Sequence, residues 1–325
     1  MTAEDDARRL LADAIAHEQS GNFRAAQELA ERAACVAAPA SLRIDIEVVR
    51  ARLSSTLGDF ESAEARLAAA LTLACGVLPD DHRCMLAIHN MRGITAKYAG
   101  RFDDAATHYE RALAILEACP VNDSDALAGL LHNLGGLEHS RGRIAEGLVH
   151  AERGLRLRIE AVGPDHPDVA RDLNAIGAMH HDAADSTAAV TAYRRALEIF
   201  EKTLGPDHYE VAMTCANLAV STAAAADAAT ARRLYERALD ILERTLGVGH
   251  PDVALVQHNF AVLLVEIGDL DTALDLLTRA DAALAAALPQ GHPRRLDVLA
   301  TVKTLSSRNV GKARETPDSS GRVRQ

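Results

Sequence analysis

The chain has 325 residues, of which 48% are hydrophobic and only 3% aromatic, and its formal net charge at pH 7 is −11. This acidic balance speaks against nucleic acid or an anionic membrane as the main partner, because phosphate binding needs clustered cations. No apolar run approaches the roughly 18 residues of a membrane span, and the start, MTAEDDARRL, lacks the apolar segment of a secretory signal. We therefore expect a cytoplasmic protein with no membrane partner and no nucleic-acid partner.

The sequence repeats a small residue followed by a near-copy of one phrase, such as GDFESA or GDLDTA. This small residue occurs every 42 residues, at Gly58, Gly100, Gly142, Ala184, Ala226 and Gly268. A fixed period of this length is typical of repeat proteins, in which each unit buries its apolar face only by stacking on its neighbours. Any function is therefore expected on a repeated surface.

In chain order, the pattern predicts a divergent first repeat over residues 1–40, tandem 42-residue repeats over 41–292, a capping helix over 293–305 and a tail over 306–325. Gly21 lies only 37 residues before Gly58, which we interpret as a shortened turn around Pro39. In the tail, five basic residues outweigh two acids, and few side chains are apolar. We expect this basic tail to be disordered.

Each full repeat contains two amphipathic segments. The clearest copy predicts one helix over Asp168 to His180 and a second over Thr187 to Leu204, because apolar residues recur there at helical spacing. A loop such as GPDHP follows each second helix, with a glycine suited to the helix end and polar residues suited to the next helix start. The loop histidines are predicted to cap helix starts rather than to bind a metal: His82, His166, His208, His250 and His292.

A skeleton of small residues also repeats within each unit, with tyrosines at Tyr109, Tyr193 and Tyr235. One small position holds Gly93, Gly135, Gly177, Ala219 and Ala261. Together with phrases such as YERALDILERTLG and GPDHPDVA, this skeleton resembles the tetratricopeptide repeat in the 42-residue form of the kinesin light chain subfamily, which is also widespread in bacteria. The resemblance implies an all-α fold, a right-handed superhelical solenoid of six to seven helix-turn-helix repeats that binds a protein or peptide.

In this family the first helices line a concave groove, and an asparagine there commonly contacts the backbone of a bound peptide. The residues at that position are Asn133, Asn217 and Asn259. A carboxamide offers a donor and an acceptor side by side, so it can pair with a peptide group of any sequence. First helices about 10 Å apart would place a carboxamide at every third residue of an extended segment. The alternative is that these asparagines bond only to neighbouring helix ends.

Further residues are expected at or near the groove. One place before the asparagine position, about 100° around the helix, stand Asn90 and Asn174. The residues that we expect to tune specificity are Lys97, Tyr98, Arg171 and Glu266. Four histidines are expected to face the groove: His132, His139, His181 and His258. These histidines could ligate a metal or sense pH, but the lack of a metal motif favours a polar lining.

No catalytic, cofactor or metal site is predicted. The chain has no glycine-rich phosphate loop and no GxSxG motif. Its five cysteines form no CxxC pair, so we expect reduced and mostly buried thiols. Acids near the groove leave a paired-carboxylate site open. We predict a non-enzymatic interaction scaffold; the alternatives are a regulatory sensor for a small signal peptide and, third, an enzyme or metal-binding protein. Nothing in the sequence predicts the partner's identity or the oligomeric state.

Overall fold

The structure, a computed structural model, describes residues 2–19, 22–77, 83–118, 123–287 and 295–304. Within these ranges the chain is all α-helical and contains no strand, as predicted. The fifteen helices of this described part are α1 (Ala3–Gln19), α2 (Phe23–Ala34), α3 (Ala40–Thr56), α4 (Phe60–Val77), α5 (Arg83–Tyr98), α6 (Phe102–Ala118), α7 (Ser124–Ser140), α8 (Ile144–Val162), α9 (Pro167–Asp182), α10 (Ser186–Leu204), α11 (Tyr209–Ala224), α12 (Ala228–Leu246), α13 (Pro251–Ile267), α14 (Leu270–Ala287) and α15 (295–304). We call the odd-numbered helices first helices and the even-numbered ones second helices.

The chain divides into two compact units, residues 1–179 and 180–325. Consecutive helices pack against one another from α1 to α8 and from α10 to α14. In the first unit the first helices of successive pairs also touch, α1 with α3, α3 with α5 and α5 with α7, and in the second unit α11 touches α13. No such contact joins second helices within either unit in the described residues. Inside a unit, successive repeats therefore meet where each second helix packs on the next first helix, and also where neighbouring first helices touch.

The small residue that opens each repeated phrase has a positive φ at all six positions. Its φ is 82° at Gly58 and 76° at Gly142, and it is 59° at Ala184 and 64° at Ala226. This left-handed conformation ends each first helix and directs the chain into the second helix. Glycine adopts it freely, whereas alanine is strained there by its Cβ. The 42-residue period thus marks one repeated backbone turn, and two of its six copies are strained.

The loop histidines cap the first helices that follow them. The Nδ1 of His208 accepts a hydrogen bond from the backbone N–H two residues later, at 3.1 Å, and the same bond is 3.2 Å long at His166 and at His250. The predicted capping role is therefore confirmed for these three histidines. Outside the described residues lie His82 and His292.

The first repeat is shorter because its second helix is shorter. Helix α2 has 12 residues, whereas α8, α10 and α12 have 19 each. The turn from α2 to α3 covers residues 35–39, while the turn from α8 to α9 covers only 163–166. The interpretation of the 37-residue spacing as a shortened turn is therefore wrong. Pro39 stands at the N-cap of α3, and because the residue before a proline disfavours the helical conformation, the chain leaves α2 before this point.

Between α7 and α8 the two backbones come into direct contact. A Cβ added at Gly135 would lie 2.9 Å from the carbonyl oxygen of Gly147, and one added at Gly147 would lie 2.9 Å from the carbonyl oxygen of Gly135. Other repeats hold fully buried alanines in place of Gly147, namely Ala105, Ala189 and Ala231. Small residues thus set how closely first and second helices approach each other.

The cysteines match the expectation of buried thiols only in part. Cys215 is buried and Cys84 half-buried, but Cys35 and Cys75 are exposed, and none of these four forms a disulfide. The expectation is wrong for the two exposed thiols because both stand at or near the end of a second helix, beyond its packed face. Outside the described residues lie Cys119, residues 293–294 and the predicted basic tail over 306–325.

Candidate functional site

In the first unit, two asparagines of neighbouring first helices are hydrogen-bonded to each other. The Nδ2 of Asn133 on α7 donates to the Oδ1 of Asn90 on α5 over 2.8 Å, across 43 positions of sequence. Both side chains are half-buried. Among the described residues, the Oδ1 of Asn133 accepts no hydrogen bond. Asn133 therefore bonds to another carboxamide rather than to a helix end, and it keeps an acceptor available at the surface.

Lys97 lies two turns after Asn90 on α5 and carries a partly buried ammonium group. Its Nζ is 4.9 Å from the centroid of the exposed Tyr98 ring. A Cβ added at Gly136, one turn after Asn133, would lie 3.2 Å from the same Nζ. Burial lowers the pKa of Lys97, and no carboxylate of the described chain pairs with it. The first helices therefore present a cation without a counter-ion on the face that holds the two asparagines.

His132 is held by a buried carboxylate. Its Nδ1 lies 2.7 Å from the Oδ1 of Asp172, a residue only 4% exposed. The Oδ2 of Asp172 accepts from the Nε of Arg158 at 3.2 Å. Burial pulls the pKa of Arg158 down, but the carboxylates of Asp172 and Asp125 outweigh burial and raise it, so the guanidinium stays charged. One imidazole nitrogen of His132 is thus committed to a buried ionic cluster.

Sequence reasoning missed this ionic cluster, although the repeat contained a signal for it. Arg158 and Asp172 stand at the positions that Leu116 and Leu130 occupy in the preceding repeat. An opposite-charge pair that replaces two apolar residues at facing core positions indicates a buried ion pair, because an isolated buried charge is too costly. Comparing the repeats position by position would have revealed the pair.

Arg171 and Asn174 lie one turn apart on α9. The guanidinium of Arg171 pairs with the carboxylate of Asp168 on the same helix, and Asn174 is half-buried. A ligand that uses Arg171 would have to compete with Asp168 for it. Because this pair is exposed, such competition costs little.

The second unit contains a cleft of about 340 Å³ between α11 and α13. Its polar lining residues are His181, Tyr235, Asn259 and Glu266, and its apolar ones are Val220, Ala223, Ala224, Val262 and Leu263. Three predicted site residues, His181, Asn259 and Glu266, therefore meet in one cavity, which we call the α11–α13 cleft. Positions 259, 262, 263 and 266 share it because residues three, four and seven apart lie on one face of a helix. The volume is at the low end for ligand pockets.

Two polar groups of the α11–α13 cleft have unused bonding capacity. Tyr235 is 2% exposed; burial, together with the nearby charge of Glu266, raises the pKa of its hydroxyl, which stays protonated. Its ring stacks on Phe260 with 5.2 Å between centroids, which holds it in place. Neither the Tyr235 hydroxyl nor the Glu266 carboxylate has a hydrogen bond or ion pair to another described residue. His181, in contrast, has its Nδ1 3.2 Å from the Oγ of buried Ser221.

Asn217 and His258 differ in how they are used. Asn217 is half-buried on α11, one turn before Val220, and its carboxamide has no partner among the described residues. The Nε2 of His258 lies 3.0 Å from the Oγ1 of Thr301 on α15. Burial lowers the pKa of His258. Asn217 is therefore open to a ligand, whereas His258 helps to attach α15 to α13.

Two histidines that the sequence analysis did not single out, His89 and His108, lie against each other. The Nδ1 atoms of His89 on α5 and His108 on α6 lie 3.3 Å apart. Burial, followed by the charges of His108 and Arg92, lowers the pKa of His89 to about 4, so both rings are neutral near pH 7.

Over the described ranges, no group of three or more potential metal ligands occurs. In the same ranges no helix is both long and apolar enough to span a membrane.

The helix pairs and the polar first-helix positions define a helical repeat protein of the kind that presents a binding surface. The chain belongs to the tetratricopeptide repeat family, whose model matches residues 45–118, 126–202, 174–244 and 210–284. The search of curated protein sequences finds no match.

Solved structures of related architecture support the same fold. BtubC from P. vanneervenii is 21% identical, with a TM-score of 0.55 over 77% of this chain and 93% of that one. A putative kinesin light chain from P. anserina with nearly identical TPR-like repeats is 18% identical, with a TM-score of 0.50 over 63% of this chain and 97% of that one. A Rap protein complexed with Competence and Sporulation Factor is 14% identical, with a TM-score of 0.63 over 96% and 89%. At these identities the likeness establishes the fold alone.

Proposed function

We propose that this protein is a non-enzymatic scaffold that binds an extended segment of a partner protein along its first helices. The tetratricopeptide repeat family and the helix-pair fold support an interaction role. The observation that carries the proposal is the presence of half-buried carboxamides at one repeat position: Asn133, Asn217 and Asn259.

The unused bonding groups of two of these asparagines support backbone recognition, whereas the Asn259 side chain bonds to His258. Asn133 keeps its Oδ1, and Asn217 keeps its whole carboxamide, with no partner in the described part of the chain. A carboxamide can accept from a peptide N–H and donate to a peptide C=O at once. Carboxamides on neighbouring first helices of one unit, such as Asn217 on α11 and Asn259 on α13, would therefore hold an extended backbone without reading its sequence. Neighbouring side chains would supply the selectivity.

The partner is expected to supply the large apolar side chains of the interface. The chain has no Trp, and Tyr109, Tyr193 and Tyr235 are buried in the helix packing, which leaves Tyr98 as an exposed aromatic of the first helices. Aromatic side chains dominate the binding energy of many interfaces. A scaffold poor in exposed aromatics therefore suits a partner segment that carries them.

We place the protein in the cytoplasm of a bacterium. The four free cysteines of the described residues fit a reducing compartment. The fold likeness to BtubC and the rarity of lysine beside arginine both fit a bacterial source. The net charge of −11 also fits a protein partner better than a nucleic acid.

The test begins with the partner recovered by pull-down from the native host, titrated against Asn133→Ala/Asn217→Ala/Asn259→Ala. Each lost asparagine should cost about 1 to 3 kcal/mol of binding free energy, since its peptide partner is left unpaired. The control is Asn22→Ala, because Asn22 stands at the N-cap of α2 without a side-chain cap bond. Unchanged affinity, with an unchanged circular dichroism spectrum, would remove the asparagines from the binding site.

A second candidate is a sensor that binds a small signal peptide. The α11–α13 cleft, of about 340 Å³, favours it because a cavity of this small volume suits a short ligand. The fold is also shared over 96% of the chain with a Rap protein whose structure holds the Competence and Sporulation Factor. The two candidates are separated by length dependence: a sensor saturates with a short peptide, whereas the affinity of a scaffold rises as the segment covers more repeats.

A further inference from the structure

We infer that the α11–α13 cleft receives a cationic side chain, an arginine or a lysine, of the bound segment. The inference rests on the proposed function and gives the chemistry of one contact within it. The cleft holds a carboxylate, Glu266, that has no ion pair among the described residues, and a hydroxyl, Tyr235, that makes no hydrogen bond there. Both groups line one cavity, and both can accept from a donor that the described chain does not supply.

Charge selects a cation over an anion. Helices α11 and α13 contain no lysine or arginine, and their charged residues are Glu210, Asp252 and Glu266. Because no lysine or arginine lines the cleft, the Glu266 carboxylate has no basic partner within it. An incoming anion would be repelled by Glu266, the carboxylate that lines the cleft. A guanidinium or ammonium group gains charge-assisted hydrogen bonds, the stronger class of such bonds.

The shape of the α11–α13 cleft suits a long side chain with a polar tip. Val220, Val262 and Leu263 supply apolar wall along its length, while Glu266, Tyr235 and Asn259 supply the acceptor atoms. Arginine and lysine bury an aliphatic stem and keep a charged head on polar groups. The forked guanidinium can donate to several acceptors at once, which matches a site with three of them.

The cleft exists because α11 ends in small residues. Ala224 occupies the repeat position that holds Tyr98, Ser140, Asp182 and Glu266 in other repeats. With Ala223 and Ala224 in the last turn of α11, no side chain of that helix reaches across to Glu266. A larger residue at position 224 should therefore fill the cleft, and the exposed Tyr98 indicates that this repeat position tolerates bulk.

The first test titrates two small probes, Nα-acetyl-arginine methylamide and its uncharged citrulline isostere, by ligand-observed NMR. We expect a millimolar dissociation constant for the arginine probe and at least about tenfold weaker binding of the citrulline probe. Glu266→Gln, which keeps the shape, should weaken the arginine probe by about tenfold, and Ala224→Leu should abolish binding. Glu198→Gln, an exposed carboxylate on α10 that pairs with Arg195, is the matched control and should leave binding unchanged. Equal binding of the two probes, or no effect of Glu266→Gln, would overturn the inference.

The second test separates this inference from the proposed function. A heptapeptide display library is selected on the wild-type protein, on Glu266→Gln and on the triple asparagine variant, with folding monitored by circular dichroism. We expect basic residues to be enriched at one peptide position on the wild type and not on Glu266→Gln. Peptides that need the asparagines but show no basic preference would defeat the cation pocket and leave the scaffold intact. Binding of the arginine probe to the cleft, with no asparagine-dependent peptide, would defeat the scaffold and leave the pocket.

Discussion

Arg158 and Asp172 form a buried ion pair, with 3.2 Å between Nε and Oδ2, at repeat positions where the preceding repeat has two leucines. The guanidinium also reaches Asp125 at 2.5 Å, and the carboxylate holds His132. Buried pairs of this kind cost desolvation and are often no more stabilising than apolar residues, whereas removing one partner leaves an unpaired charge.

We predict strong coupling between these two positions. Arg158→Leu alone should lower the free energy of unfolding by about 3 to 5 kcal/mol, because Asp172 is left buried without its cation. The double variant Arg158→Leu/Asp172→Leu copies Leu116 and Leu130 of the preceding repeat and should recover most of the loss. Urea denaturation followed by circular dichroism measures both. If the losses from Arg158→Leu and from Asp172→Leu, each measured alone, add up in the double variant, the ion-pair account is contradicted.

Glycine at the two strained turns should raise the stability of the folded protein. Ala184→Gly and Ala226→Gly each remove the Cβ from a left-handed backbone conformation and should stabilise the protein by about 0.5 to 1 kcal/mol. Thermal denaturation checks the change. Two controls should move the other way: Gly142→Ala introduces the strain, and Ala69→Gly weakens an exposed helical position by about 1 kcal/mol. If the two turn variants and the two controls shift the unfolding temperature in the same direction, the backbone argument is wrong.

The contact between α7 and α8 should not admit a methyl group. Gly135→Ala places a Cβ 2.9 Å from the carbonyl oxygen of Gly147, so the helices must move apart, at a cost of about 1 to 3 kcal/mol. Gly129→Ala on the same helix is the matched control. Its Cβ would meet only the Nη2 of Arg158, at 3.7 Å, so the better helix propensity of alanine should stabilise by up to about 1 kcal/mol. Denaturation midpoints of the two variants should therefore fall on opposite sides of the wild type.

The His89–His108 pair should make stability depend on pH. Burial, then the charges of His108, Arg92 and Arg111, lowers the pKa of His89 to about 4, against about 6.5 in the unfolded chain. Between these values the unfolded state binds more protons, so stability falls as pH drops from about 6.5 to about 4 and then levels off.

The matched variant is His89→Leu/His108→Leu, which removes both titrating rings; leucine also stands at position 131, the equivalent of 89. Because both rings are partly exposed, we expect the acid loss attributable to this pair to be only about 1 kcal/mol. Urea denaturation at several pH values measures it. An equal acid loss in the double variant would assign the pH dependence to other groups.

The residue types of the loops and the 42-residue period of the sequence were enough to predict the helices and their caps. The 42-residue spacing located six breaks between helices, including those at Ala184 and Ala226, and the structure shows that all six are left-handed turns. The histidines of the GPDHP loops were recognised as caps because a cap bond spans only two residues, as at His208. Such short-range features are decided within a few residues of sequence.

The tertiary structure decided how the polar side chains of the first helices are used. Asn133 bonds to Asn90 across 43 positions and His132 bonds to Asp172 across 40, so the partner of each depends on the packing of the next repeat. The α11–α13 cleft likewise arises from what α11 lacks beside Glu266, a property of two helices together. A periodic sequence therefore fixes where polar residues stand in each helix, but which of them pair and which stay open to a ligand follows from contacts between repeats.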